Sequence, residues 1–182
     1  MSLKLALTKR RSTRAFAARP LTEEETTALL FAAQGITSPS GYRTAPSAGA
    51  TYPLEIYIVT QRGIFHYLPG ENRTEQLSTE NLMHQLADAA LGQHWVETAA
   101  ANFVFAGVVE RTAKRYGQRA TRYVAIEVGS AAQNLMLSAT ALELGSVMVG
   151  AYDDNRVKSV LHLPTESIPF AIVSVGAVST EK

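Results

Sequence analysis

The chain has 182 residues, 46% of them hydrophobic and 18% charged, a net charge of +1 and no cysteine. Its length suits one domain spanning residues 1–182, and a near-neutral balance argues against a nucleic-acid partner, which calls for a basic excess. Without cysteine there are no disulfides, thiolate metal ligands or thiol nucleophiles, which agrees with a cytoplasmic setting.

The first apolar run, Leu3, Leu5 and Leu7, is broken by Lys4 and by Lys9-Arg10-Arg11, so it does not read as a signal sequence. No segment reaches the roughly 18–20 apolar residues of a membrane span. Arg10-Arg11-Ser12-Thr13-Arg14 then sets three guanidinium groups around two hydroxyls. Arginine forks match phosphate oxygens bidentately, and hydroxyls add hydrogen bonds to the same group.

Thr22 with Glu25 has capping-box form and opens a helix expected to run to about Ala33. Residues 34–49 are rich in Gly, Ser, Pro and Thr and read as a long ordered loop, a kind that usually serves function. Leu54–Thr60 and Ile64–Leu68 form an expected hairpin around Gln61-Arg62-Gly63, closed by a turn at Pro69-Gly70-Glu71-Asn72. Helices are expected at Asn81–Leu91 and Val96–Ala101, followed by a strand at Phe103–Val109.

The longest periodic segment is about Thr121–Leu144. Val124, Val128, Ala131, Ala132, Leu135, Ala139 and Leu142 share one face, but Ile126, Leu137, Ala141 and Leu144 lie opposite. A helix apolar on both sides is expected to be buried all round, with a second subunit covering one face. Gly145 reads as the glycine just past its end, Val147–Val149 as a buried strand, Asp153/Asp154 as the cap of a helix to Leu161, and Phe170–Val175 as a last strand. Helices and hairpins without regular alternation indicate an α+β fold.

Familiar catalytic signatures are missing. His66, His84, His94 and His162 share no ligand spacing, so no metal is expected, and there is no nucleophile elbow, Walker loop or Gly-x-Gly-x-x-Gly. What remains is the arginine knot, the hydroxyl-rich loop Arg43–Pro53, the helix stretch Glu127–Asn134 and the strand exit Gly145–Ala151. Small residues in the loop and at the strand exit would let backbone N–H groups approach a flat ligand or a phosphate. On residue types alone these are equally a solvated patch, a connecting loop, a packing face and a tight strand exit.

Their order is more telling. Arg10-Arg11-Ser12-Thr13-Arg14 with Phe16 and Pro20-Leu21, then Pro46-Ser47-Ala48-Gly49-Ala50-Thr51-Tyr52-Pro53, then Glu127 with Gln133-Asn134-Leu135, then Gly145-Ser146 and Val149–Asp153, resemble the nitroreductase-like FMN-dependent oxidoreductase family. The resemblance covers about residues 8–176, and its Arg-Thr-Ala-Pro-Ser-Ala-Gly wording is most similar to the branch of azoline (thiazoline/oxazoline) dehydrogenases. It implies a mixed, mainly antiparallel sheet flanked by helices, an intertwined homodimer, and FMN at the subunit interface. By that resemblance Arg10, Arg11, Ser12 and Arg14 bind phosphate, ribityl chain and ring, Pro46, Ser47, Ala48 and Gly49 come from the partner subunit, and the N–H groups of Val149 and Gly150 meet the ring edge. It further implies ping-pong hydride transfer from NADH or NADPH to a small-molecule acceptor such as a nitroaromatic or quinone.

Two departures shape the expectation. Where azoline dehydrogenases have a Lys-Tyr pair for proton removal, this chain reads Arg115-Tyr116 after Lys114, and arginine stays protonated. Reduction of acceptors is therefore the leading expectation, ring oxidation with Tyr116 the alternative, and non-catalytic flavin binding a third. After Gly176 the one basic residue is Lys182, which leaves the phosphate charge mainly to Arg10 and Arg14.

Overall fold

The structure, a computed structural model, describes residues 1–179; Lys182 lies outside the described residues. Leu3–Lys9 form a helix, α1, where the sequence pattern offers only an apolar run; Ser2 caps it by accepting from the Leu5 N–H at 3.3 Å. Glu23–Gln34 form α2, and the expected capping box is present: Thr22 Oγ1 accepts from the Glu25 N–H at 3.1 Å and the Glu25 carboxylate from the Thr22 N–H at 2.8 Å. Arg19 adds an ion pair to Glu25 at 2.9 Å, which holds that carboxyl below its usual range.

Six strands follow: β1 Leu54–Thr60, β2 Gly63–Leu68, β3 Arg73–Ser78, β4 Ala101–Val108, β5 Leu144–Val149 and β6 Ser167–Ala177. Their order is β3-β2-β1-β4-β6-β5, and every ladder is antiparallel. Between them lie α3 Met83–Ala89, α4 His94–Thr98, α5 Val109–Tyr116, α6 Ala120–Ala141 and α7 Asp154–Leu161. This is the expected α+β architecture.

The sheet is covered on both faces, and β4 shows why. Its side chains alternate, so Phe103 and Phe105 join the cluster beneath α2 and α6 while Val104 and Ala106 join the one beneath α3 and α7. A central strand buried on both sides reads as a continuous apolar run.

Several sequence expectations are corrected. Neither β3 nor α5 is among the expected elements. β4 begins at Ala101, inside the stretch expected as helix. α6 stops at Ala141 rather than Leu144, and Glu143 takes the left-handed turn at φ 63°, so Gly145 is not the helix-ending glycine but part of β5. Its place there is explained by contact: a Cβ on Gly145 would stand 2.7 Å from Thr13 Cγ2.

Within the single chain α6 is buried on one face. Val124, Glu127, Val128, Ala131, Ala132, Leu135, Met136 and Ala139 are buried, but on the far face Ile126 is 60% exposed. On α1, Leu3 and Leu7 are exposed as well.

Candidate functional site

The arginine knot leaves α1 as an extended segment laid beside β5. Ser12 bridges to Ser146 in parallel, and the Thr13 N–H donates to the Ser146 carbonyl at 2.9 Å. Further along, Phe16 pairs with Val178 and the Ala17 N–H donates to the Ala177 carbonyl at 2.9 Å. The knot is thereby fixed to the strand that ends in Val149 and Gly150. Val149 is buried, Gly150 is exposed, and a Cβ at Gly150 would meet nothing within 4 Å.

The arginines differ in what they already hold. Arg11 turns back to close α1, donating to the carbonyls of Thr8 at 3.1 Å and Arg10 at 2.7 Å. Arg14 lies over the Trp95 ring at 5.3 Å. Among the described residues neither Arg10 nor Arg14 has a carboxylate partner. Ser146 Oγ and Trp95 Nε1 are buried without hydrogen-bond partners. Two unneutralised guanidinium groups beside an open backbone edge suit a ligand with an anionic end.

A second group forms around the loop. Gly49 sits at φ 60°, and a Cβ there would stand 2.8 Å from Tyr116 Oη and 2.9 Å from Arg115 Nη1. The Pro46–Gly49 loop and the Arg115-Tyr116 pair thus share one wall, and the positive φ at Gly49 favours glycine there. Ser47 Oγ accepts from the Tyr52 N–H at 2.9 Å, and the hydroxyls of Thr51 and Thr112 are 2.9 Å apart, tying the loop to α5. Tyr116 meets Tyr123 of α6 edge-on at 4.9 Å.

Beneath this wall runs a line of charges that sequence reasoning leaves unassigned. Arg43 lies 4.7 Å over the Tyr52 ring and donates to Gln34 Oε1 at 2.7 Å. Arg111 pairs with Glu55 at 2.6 Å, and Glu55 meets His66 at 2.8 Å. Burial pushes the Glu55 carboxyl up, but hydrogen bonds from His66 and Arg111 outweigh it and hold the net value below the usual range. Glu127, buried among Arg43, Ser47 and Gln34, goes the other way, pushed up by burial to about 7. Its signal in the sequence is a carboxylate three residues from both Val124 and Ser130, on the face that also carries Val128 and Ala131.

The two groups sit on different strands: the knot pairs with Ser146, in the row of Val175 and Ala101, whereas the loop enters β1 at Leu54, opposite Gly107 and Ile168. Tyr57, Val104, Ile172 and Val149 form one cross-strand row, so Val149 is three strand spacings from β1, roughly 14 Å. Among the described residues no cluster of three His, Cys, Asp or Glu residues is placed to hold a metal ion. No helix there is long and apolar enough to cross a membrane.

Known proteins resemble this chain over nearly its whole length. The chain is 41% identical over 182 residues to "Putative nitroreductase MJ1384" of Methanocaldococcus jannaschii, covering 97% of this chain and 91% of that protein. It is 27% identical over 153 residues to the microcin B17-processing protein McbC of Escherichia coli, covering 77% of this chain and 56% of that one, so it spans little more than half of McbC. The crystal structure of a "putative nitroreductase" from Ralstonia eutropha superposes with a TM-score of 0.91 at 25% identity, over 100% of this chain and 85% of that one. With the Nitroreductase family profile matching residues 7–177, most of the described chain and both groups of site residues, the chain belongs to the nitroreductase family.

Proposed function

We propose that this protein is an FMN-dependent oxidoreductase that uses NADH or NADPH to reduce small acceptors such as nitroaromatics and quinones. The observation that carries the reading is the pairing of Ser12 with Ser146, which brings Arg10 and Arg14 to the strand ending in Val149 and Gly150. Arg10, Ser12 and Arg14 would hold the phosphate and the polar edge of the ring, and the backbone N–H groups of Val149 and Gly150 would face the ring. When bound, FMN supplies the hydride chemistry; the protein binds, orients and sets the local field. A guanidinium beside the ring favours negative charge arising there on reduction.

The second wall, Pro46–Gly49 with Tyr116, would come from another copy of the chain. The roughly 14 Å between β1 and Val149 and the uncovered face of α6 around Ile126 support a homodimer built in this way. The position of Tyr116 against Gly49, together with the likeness to McbC, favours a second reading: oxidation of an azoline-type ring with Tyr116 handling the proton. The two are separated by mixing flavin-loaded protein with NADPH under anaerobic conditions. Rapid bleaching followed by reoxidation with a quinone supports acceptor reduction. No bleaching, with oxidation of a thiazoline peptide that Tyr116→Phe abolishes, supports the second reading.

A further inference from the structure

Under the loop from Arg43 to Pro53 a carboxyl group is sealed away from water. Glu127 of α6 is 2% exposed. Its Oε1 has no hydrogen-bond partner, and neither have Arg43 Nε and Gln34 Nε2, the adjoining buried polar atoms. Among the described residues the loop is tied to α6 by a hydrogen bond from Asn134 Nδ2 to the Thr44 carbonyl at 3.3 Å. Its other anchors run to the end of α2 (Arg43 to Gln34 at 2.7 Å, Thr44 to the Phe31 and Gly35 carbonyls at 3.2 and 3.0 Å) and to β4 and α5 (the Val108 N–H to the Pro53 carbonyl at 2.9 Å, Arg111 to the Tyr52 carbonyl at 3.3 Å, Thr51 with Thr112 at 2.9 Å). Its backbone is also unrelaxed, with Ala50 at φ 54° and Tyr52 at φ 44°, a region that side-chain-bearing residues seldom occupy.

We propose that Glu127 is the positioning residue of loop 43–53, and that loss of its proton loosens the loop from α6. A carboxylate without a full set of partners is far costlier in a closed interior than the neutral acid. Opening the loop hydrates it, and hydration favours the anion more than the acid. The charged form therefore pulls the equilibrium toward the open loop. Burial outweighing Ser47, Arg43 and Gln34 and pushing this carboxyl from 4.5 up to about 7 agrees with that balance.

The surroundings leave few rivals for the titration. Arg43 and Tyr52 face the site from the loop, Arg111, Arg115 and Tyr116 from α5, Glu55 from β1, His66 from β2 and Tyr123 from α6 itself. Of these only His66 is of a type that changes charge near neutrality. The consequence for flavin rests on the function proposed above; the behaviour of the loop does not.

The test is hydrogen exchange of the flavin-free protein at pH 5.5 and 8.5, corrected for intrinsic rates. With 4.5 as the open-state and about 7 as the closed-state value, protection of peptides spanning residues 43–53 should fall about 30-fold over that interval. In Glu127→Gln it should stay high at both pH values, and His66→Gln should keep the wild-type change. Equal protection of the wild type at both pH values overturns the proposal, as does a Glu127→Gln protein that keeps the change. In parallel, the FMN dissociation constant should rise with pH in the wild type relative to Glu127→Gln. A protein that takes up no FMN at either pH overturns the proposed function and leaves the exchange result to decide this inference.

Discussion

Replacing Glu127 by Gln should raise the stability of the fold in alkali and change it far less in acid. Burial lifts this carboxyl from 4.5 to about 7, so folding disfavours its charged form. The penalty is absent below the unfolded value, grows as pH rises through the window between the two, and is complete above the folded value. Integrating over that window makes the wild type lose about 2 kcal/mol between pH 5.5 and 8.5 that the variant keeps. Any pH-independent effect of the amide cancels in the difference. Urea denaturation of both proteins at the two pH values, at one fixed chain concentration so that any subunit association contributes equally, measures it. A difference between the proteins that does not change with pH, or a variant that loses ground in alkali, would refute the reasoning.

Gly145→Val brings a Cβ to within 2.7 Å of Thr13 Cγ2, so it should displace the knot from β5. It is expected to cost about 1–3 kcal/mol and to weaken FMN binding about tenfold, read by thermal melting and flavin fluorescence. Arg10→Gln with Arg14→Gln removes two charge-assisted contacts, about 1.5–3 kcal/mol each, and should raise the FMN dissociation constant ~100-fold or more while the melting temperature moves little. Ile126→Arg puts a charge on the uncovered face of α6 and should convert dimer to monomer at micromolar concentration in light scattering; an unchanged mass would count against that face as the contact.

Legibility in the sequence follows how directly each feature is written in local pattern. α2 is readable because Thr22 and Glu25 state its start, and α7 because Asp153 caps it, accepting from the Arg156 N–H at 3.0 Å. β3 is not, because it is an edge strand whose residues Arg73, Glu75, Gln76 and Leu77 are exposed, so it shows no apolar alternation. α5 hides for a related reason: Glu110, Arg111, Lys114 and Arg115 are all exposed, and Thr112 is its one buried residue. Gly145 resembles a helix stop, and only the approach of Thr13, far away in sequence, shows that its missing side chain serves sheet packing.

The site divides in the same way. Its motifs can be recognised by order, but not the partition into a knot beside β5 and a loop against Tyr116. Nor can the pattern group Gln34, Arg43 and Glu127, which come from a helix end, a loop and a second helix. Polar contacts between distant segments leave no periodic trace. Glu127 is visible as a member of the ordered motifs and as a carboxylate on an apolar face, but its neighbours are not.

The central claim is that the chain binds FMN and passes electrons through it. Its most direct test is an anaerobic titration of purified protein with FMN, followed by NADH or NADPH, watched by visible absorbance. The account predicts one flavin bound per chain and bleaching when the nicotinamide is added. A protein that remains colourless and leaves added FMN free in solution would contradict it.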